Sequence, residues 1–364
     1  MDWDTTRNLY IEGDNLEVLK LLQTAYYRKV KMIYIDPPYN TGNDFVYADD
    51  FADPMARYKE VTQQTTKSNP ETMGRYHTNW LNMMYPRLRL AANLLRDDGV
   101  IFISIDDVEI DNLKKLCNEI FGEENFVAQF IWQSRQNKDN RNITGVSIDH
   151  EYVVCYTKQF GHRVFRGTDR KTEQYKNPDN DPRGPWTSAN MVGLATADAR
   201  PNLHYDLINP ADGRNYGCPE KGWRYDRNTM NRLIQEGRII WPDNPDGRPR
   251  KKSFLNELSD NLPGFSSIFS TGVYTNTATK EIGGLFNRYL FDFPKPVEII
   301  KQLISQVSNT DDTILDFFSG SATTAHAVMQ LNAEDGGNRR FILVQIPELC
   351  DEKSEAYKAG YKNI

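Results

Sequence analysis

Residues 31–35 form a short apolar run, built on Met32-Ile33-Tyr34-Ile35, that stops abruptly at Asp36-Pro37-Pro38-Tyr39. Two consecutive prolines fix φ and supply no N–H, so neither a ladder nor a helix continues through them. The run is therefore expected to be a buried strand feeding a loop. The same texture recurs at 100–105, 313–317 and 341–346. Helical periodicities lie between these runs: 15–27, with Leu16, Val18, Leu19, Leu21 and Leu22 on one side and Asp14 or Asn15 as cap; 80–96, ended by Asp97-Asp98-Gly99; 111–121; 295–307; and 322–331. Strands alternating with helices imply an α/β fold, a mostly parallel sheet with helices on both faces. Runs 126–132 and 152–156 are expected to pair as antiparallel neighbours around the polar span 134–151. Residues 45–74 are polar and irregular.

The texture changes at about residue 158. From there to 288 Gly, Pro, Asn, Asp and Arg are dense and apolar periodicity is poor, which reads as an inserted, loop-rich domain. Three segments are expected: 1–157, the first part of a sheet-bearing domain; 158–288, the insert; and 289–364, where that domain resumes. The net charge of −6 conceals an asymmetry: residues 133–253 carry 21 Lys and Arg against 15 Asp and Glu, net +6, and the remainder is net −12. A locally basic segment is what binding to a polyanion requires, although a surface fluctuation gives the same count. The longest central apolar stretch, 100–105, is far too short for a bilayer. Met1-Asp2-Trp3-Asp4 offers neither a basic nor an apolar leader region. Cys117, Cys155, Cys218 and Cys350 are far apart, and the five histidines show no ligand spacing. A cytoplasmic protein with reduced thiols, no membrane association and no metal is expected.

Two turns stand out at the carboxyl edge of the expected sheet, where open α/β sheets bind ligands. In Phe318-Ser319-Gly320-Ser321 a glycine admits close approach of a ligand, and the helix that follows offers free N–H groups. No Lys follows, so it is not a phosphate loop, and Gly-x-Gly-x-x-Gly is absent, which argues against a nicotinamide enzyme. In Asp36-Pro37-Pro38-Tyr39 the loop presents a carboxylate, carbonyls and a ring. The Asp36 carboxylate and Pro37 carbonyl suit the two N–H groups of a planar amine, with Tyr39 stacked on the base. Each turn alone is also compatible with a simple chain reversal.

Taken together the two turns resemble those of the amino-methylating DNA methyltransferases with an Asp-Pro-Pro-Tyr motif. The chain is most similar to the modification (Mod) subunit of type III restriction–modification systems. The similarity includes Leu9-Tyr-Ile-Glu-Gly-Asp-Asn-Leu-Glu-Val-Leu-Lys20, Asp36-Pro-Pro-Tyr-Asn-Thr-Gly-Asn-Asp-Phe-Val-Tyr47, Phe293-Pro-Lys-Pro-Val-Glu298, Asp316-Phe-Phe-Ser-Gly-Ser-Ala-Thr-Thr324 and Phe341-Ile-Leu-Val-Gln-Ile-Pro-Glu348. The resemblance implies a Rossmann-like, S-adenosylmethionine-dependent methyltransferase fold of seven strands in permuted order, with the target-recognition region inserted between catalytic and cofactor motifs. It implies catalytic roles for Asp36, Pro37, Pro38 and Tyr39. It further implies that Phe318, Gly320 and Ser321 line the methionine part of the cofactor, with Asp316 supporting the turn. It also implies that Lys295 and Pro296 close over the methionine end and that Gly13-Asp14 reaches the adenine ring. Two positions depart from the family: Ala322, often Gly, and Gln345, often an acidic residue that binds the ribose hydroxyls.

The implied reaction is methylation of adenine N6 in double-stranded DNA, with the target base flipped out of the duplex. Cytosine N4 methylation is the nearest rival, because the same loop holds either amine. A non-catalytic DNA-recognition module of the same fold is the rival from another class. The implied partners are DNA, a restriction (Res) subunit and, in a full-length protein, a second copy. The chain is expected to be a fragment, since the Mod class extends beyond both its ends.

Overall fold

The computed structural model describes residues 5–40, 71–139, 143–244, 246–258 and 262–364, with 71–76 in backbone only. Most of the polar stretch 45–74, and the tail of the Asp-Pro-Pro-Tyr motif from Thr41 to Tyr47, lie outside them. In chain order the first part comprises β1 (Leu9–Glu12), α1 (Asn15–Tyr26), β2 (Val30–Ile35), α2 (Glu71–Leu94), β3 (Leu95–Ile105), α3 (Ile110–Phe121), β4 (Phe126–Gln133) and β5 (His150–Thr157). There follow β6 (Trp186–Ala189), α4 (Arg227–Gln235), β7 (Ile239–Ile240) and β8 (Arg250–Phe254). The last part holds β9 (Ile268–Phe269), α5 (Thr275–Phe286), α6 (Val297–Val307), β10 (Thr313–Asp316), α7 (Thr323–Asp335), β11 (Arg340–Gln345) and the short α8 (Glu355–Lys358).

The chain forms two compact units, 1–167 with 264–364 and, separately, 168–263. The larger carries a sheet in the order β1-β11-β10-β2-β3-β5-β4-β9. Pairing is parallel from β1 through β3 and antiparallel at β3–β5 and β5–β4, as expected for the two aromatic runs. The sheet has eight strands where the resemblance implies seven. The extra one is the two-residue β9, which lies parallel to β4 at the edge.

Every residue of β2 is buried, because its alternate side chains enter two cores. Ile33 and Ile35 pack with α1, α2 and α3, whose Leu19, Leu88 and Leu113 are fully buried. Met32 and Tyr34 pack with α6 and α7 through Ile300, Leu303, Ile304 and Val328. That double coverage explains an uninterrupted apolar run in place of alternation. The helix expected at 80–96 ends earlier, at Leu94, and Asp97-Asp98-Gly99 lies within β3. Leu95 pairs with Val30, and the ladder then slips before Met32 meets Val100. Lys31 Nζ reaches into that irregularity, 2.6 Å from the Asp98 carbonyl and 2.9 Å from its carboxylate.

The smaller unit has its own core of Met191, Tyr205, Leu207, Trp223, Met230, Leu233 and Ile239, and a three-stranded antiparallel sheet β6-β8-β7. Its helix α4 is capped by Asp226, whose carboxylate accepts from Thr229 N.

One buried polar joint ties the larger unit's helices to its sheet. Asp14 caps α1 by accepting from Leu16 N and Glu17 N. The next residue, Asn15, is 1% exposed; it donates to Phe317 O at 2.8 Å and accepts from Arg87 Nε at 2.5 Å. Arg87 is fully buried and also donates to Met83 O. Asn15→Ala removes both side-chain contacts and leaves a buried guanidinium short of an acceptor, so chemical denaturation is expected to show a loss of roughly 2–3 kcal/mol.

Candidate active site

Strands β2 and β10 are adjacent and parallel, with Ile314 beside Met32 and Leu315 beside Ile33. From β2 the chain proceeds through α2 to β3 on one side, and from β10 through α7 to β11 on the other. The strand order therefore reverses at this pair, and a crevice opens beyond the carboxyl ends of both. Both suspected turns leave from this point. A cavity of about 190 Å³ lies there, lined by Asp36, Lys295, Asp316, Phe318, Gly320 and Ser321 among others, with Phe291 and Phe293 as apolar wall. Of the expected site residues, Asp14, Pro37, Pro38, Tyr39, Pro296 and Gln345 are not among the lining residues.

The Asp36 loop is held at several points. Trp80 Nε1 donates to Pro38 O at 2.7 Å. Asn40, at φ 58°, donates to the fully buried Glu109 carboxylate at 2.5 Å, and His77 and Asn112 contact that carboxylate as well. Tyr39 Oη donates to Glu151 at 3.1 Å and accepts from Lys295 Nζ at 2.7 Å. Asp36 Oδ1, like Asn40 Oδ1, is buried and takes no aligned hydrogen bond among the described residues, although Lys295 Nζ stands 3.3 Å from it as an ion-pair partner. The remaining accessible part of the side chain, 27%, belongs to the cavity wall. Burial raises the Asp36 pKa above the ordinary carboxylate value; Lys295 opposes the rise and Glu151 reinforces it.

Lys295 precedes α6 and sits between the rings of Tyr39 and Trp132, with Nζ 4.7 and 5.8 Å from their centroids. Burial works to lower its pKa, but the carboxylates of Asp36 and Glu151 more than offset this and hold the ammonium charged. Glu151 was not singled out in the sequence. Its signal was available: a carboxylate opening the otherwise apolar run Tyr152–Tyr156 must find a partner when that strand is covered.

The second turn is built from its own backbone and from β11. Asp316 accepts from Phe318 N at 3.0 Å and from Thr324 Oγ1 at 2.5 Å. Gln345 Oε1 accepts from Gly320 N at 2.7 Å, so the amide is turned onto the glycine. Gly320 has φ 47°, and a Cβ on it would stand 3.3 Å from the Phe291 ring. Ala322 also lies in the left-handed region, at φ 59°, a conformation that costs an L-residue about 1–2 kcal/mol where glycine would have no such penalty. Pro296 occupies the N-cap position of α6.

A family model described as DNA methylase matches residues 30–359. Over 99% of its length the chain is 36% identical to the type III restriction–modification enzyme StyLTI Mod subunit of Salmonella typhimurium, covering 55% of that protein. It is 33% identical, again over 99% of its length, to the EcoP15I Mod subunit of Escherichia coli, covering 61% of it. It is 33% identical to the type II methyltransferase M.KpnI of Klebsiella pneumoniae over 99% of the chain and 85% of that enzyme. The chain thus spans little more than half the length of the two Mod subunits.

Burial pushes the Asp316 carboxyl up to about 7, against the opposing hydrogen bonds from Thr324 and Phe318. A carboxyl whose folded pKa is raised contributes fully below its unfolded value, near 3.8, and that contribution is lost as pH rises through about 7. Asp316→Asn keeps an acceptor for Phe318 N, offers its amide N–H to the Thr324 hydroxyl oxygen, and cannot ionise. Thermal unfolding of the wild type is therefore expected to fall in midpoint between pH 4 and 7, and that of Asp316→Asn to be flatter over the same range.

Proposed function

The chain belongs to the DNA methylase family, and on that premise we propose that it transfers a methyl group from S-adenosylmethionine to adenine N6 in DNA, as the modification subunit of a type III restriction–modification system. The observation that carries this reading is the Asp36 carboxylate on the wall of a cavity at the reversal of strand order, with its Oδ1 buried and without an aligned donor among the described residues. The Pro37 carbonyl has no partner recorded among the described residues, whereas the Pro38 carbonyl is taken by Trp80. Asp36 and Pro37 are thus the acceptors left for an amine.

The cavity suits the methyl donor on its own chemistry. Asp316 lines it and favours a positively charged sulfonium, and Phe291, Phe293 and Phe318 give it apolar walls. Gly320 keeps one wall free of a side chain, and Phe318, Ser321, Lys295 and Asp316 are the residues in reach to hold the group. When bound, S-adenosylmethionine supplies a methyl carbon on sulfur; the C–S bond breaks, sulfur keeps the bonding pair, and a C–N bond forms to the amine.

The chain's part is positioning and electrostatics. The adenine amine is a weak nucleophile because its lone pair is delocalised into the ring. Acceptance of its two N–H groups by Asp36 and the Pro37 carbonyl favours the pyramidal nitrogen and stabilises the positive charge that develops there. Asp36 then lies in reach of the proton the amine sheds. Tyr39 offers a ring face for stacking of the flipped base. Asp14, Pro296 and Gln345 act at one remove, by capping α1, starting α6 and bracing Gly320. The basic stretch around the smaller unit is the proposed DNA-recognition region, and a Res subunit and a second copy of the chain are the proposed protein partners.

Asp36→Ala is expected to lower methylation of a cognate duplex by at least about a hundredfold while calorimetry shows S-adenosylmethionine binding nearly unchanged. Near-normal turnover in this variant removes Asp36 from the mechanism. Exchange of residues 158–288 for the equivalent span of a relative is expected to change the methylated sequence and leave the reaction intact, as read by sequencing of modified bases in an expressing host. An unchanged target sequence would put recognition elsewhere in the chain.

A further inference from the structure

The proposed reaction needs Asp36 as a free acceptor, yet a charged lysine stands beside it. An ammonium that close would ordinarily form a direct hydrogen-bonded ion pair and use up the carboxylate. The three distances around Lys295 Nζ describe a different arrangement: 2.7 Å to Tyr39 Oη, 2.8 Å to Glu151 Oε2 and 3.3 Å to Asp36 Oδ1. Two of the three N–H groups are spent on Tyr39 and Glu151. Glu151 Oε2 also accepts from Tyr39 Oη, so ammonium, phenol and carboxylate close a triangle, with Asp36 Oδ1 as a longer ion-pair neighbour that meets no aligned hydrogen bond among the described residues. The strand carrying Glu151 is fixed on both sides, by Trp132 opposite Glu151 on β4 and by Ile105 opposite Tyr152 on β3. Trp132 is held in turn by its indole N–H on Val273 O at 2.7 Å.

Resting on the reading of Asp36 as the amine's acceptor, we propose that Glu151 is a positioning residue: it holds the Lys295 ammonium off Asp36, so that Oδ1 stays available to the amine while still feeling a nearby positive charge. Lys295 thus opposes the rise that burial imposes on the Asp36 pKa, and Glu151 sets that balance. The charged and titratable groups facing Asp36 are Tyr34 on its own strand, Tyr39 in the loop, Lys295 before α6, Glu151 on β5 and Asp316 on β10, with Asp106 beyond Glu151 at the end of β3. Of these, Lys295 is the cation, and Glu151 is the carboxylate hydrogen-bonded to it.

Two variants separate restraint of the lysine from simple charge. Glu151→Gln removes the charge; Glu151→Asp keeps it but withdraws the carboxylate by one methylene. The full chain, without DNA or methyl donor, is labelled at the aspartate carboxyl carbon, and the Asp36 midpoint is followed by NMR, assigned with Asp36→Asn. The midpoint is expected to fall by about one pH unit in Glu151→Gln and by a smaller, measurable amount in Glu151→Asp, as the ammonium turns to Asp36. An unchanged midpoint in Glu151→Asp overturns the proposal even if Glu151→Gln shifts, because charge alone then accounts for the effect; it also decides the matter if Glu151→Gln does not fold. In methylation assays both variants are expected to show a kcat roughly tenfold lower, with the acid limb of the pH profile displaced downward and KM for S-adenosylmethionine nearly unchanged. Wild-type kcat and pH profile in both variants overturn the proposal as well. Absence of methyl transfer by the wild type, with the midpoints moving as expected, would instead overturn the functional reading and leave the Glu151–Lys295 relation standing.

Discussion

The parallel pairing of β2 with β10 is the constraint on which the site depends. Their ladder puts Ile314 beside Met32, so the residues that follow each strand emerge at one edge although almost the whole chain lies between them. The order of the remaining strands makes this pair the point of reversal, and the helices that cover the two faces leave the edge open. A ladder shifted by one residue would send Ile33 and Met32 to the wrong cores, so packing fixes the register and thereby the position of both turns.

The two turns are stiffened by different means. The Asp36 loop has two prolines and is pinned from outside by Trp80, Glu109 and the Lys295–Glu151 pair. The Gly320 turn is pinned from within by Asp316 and from the neighbouring strand by Gln345. In both, buried polar groups meet partners with short, well-directed hydrogen bonds. Asp36 Oδ1 and Asn40 Oδ1 are the exceptions, buried acceptors without an aligned donor among the described residues, and such groups are costly; of the two residues, Asp36 is the one on the cavity wall. The cavity wall is therefore electrostatically biased before any ligand arrives, which is what preorganisation requires.

Gln345 shows how a departure from a family pattern finds its physical place. An acidic side chain there would be charged; the amide instead accepts the Gly320 N–H with Oε1 and donates to Ile346 O with Nε2, so both ends are satisfied within the turn. Ala322 is the converse case. It takes up a left-handed conformation at the N-cap of α7, where it offers no side-chain cap, and the first turn of that helix is tied down instead by Thr324 Oγ1 donating to Asp316.

Strands β2, β3, β4, β5, β10 and β11, helices α1, α2, α3, α6 and α7 and the two turns were legible in the sequence because each is a local signal: unbroken apolar runs, 3.6-residue periodicity, Pro-Pro and Gly/Ser stops; β1, β9, α5 and the strands and helix of the smaller unit were not anticipated. Helix boundaries were less so. The end of α2 moved to Leu94 because pairing of Leu95 with Val30, a contact between distant segments, overrode the Asp97-Asp98-Gly99 stop signal. Residue types with amine-accepting chemistry were visible at Asp36 and Pro37, but which carbonyl remained free was decided by Trp80, on another helix. Glu151 was hidden for the same reason. A single carboxylate at the head of an apolar strand has no periodicity to announce it, and its meaning depends on Lys295 arriving from the far end of the chain. The sequence by itself determined what most segments of the larger unit become, since backbone propensity and burial pattern act over a few residues. Only the tertiary structure decided which charges meet, because strand order and register, set by packing across the whole sheet, bring Asp36, Glu151 and Lys295 within hydrogen-bonding range.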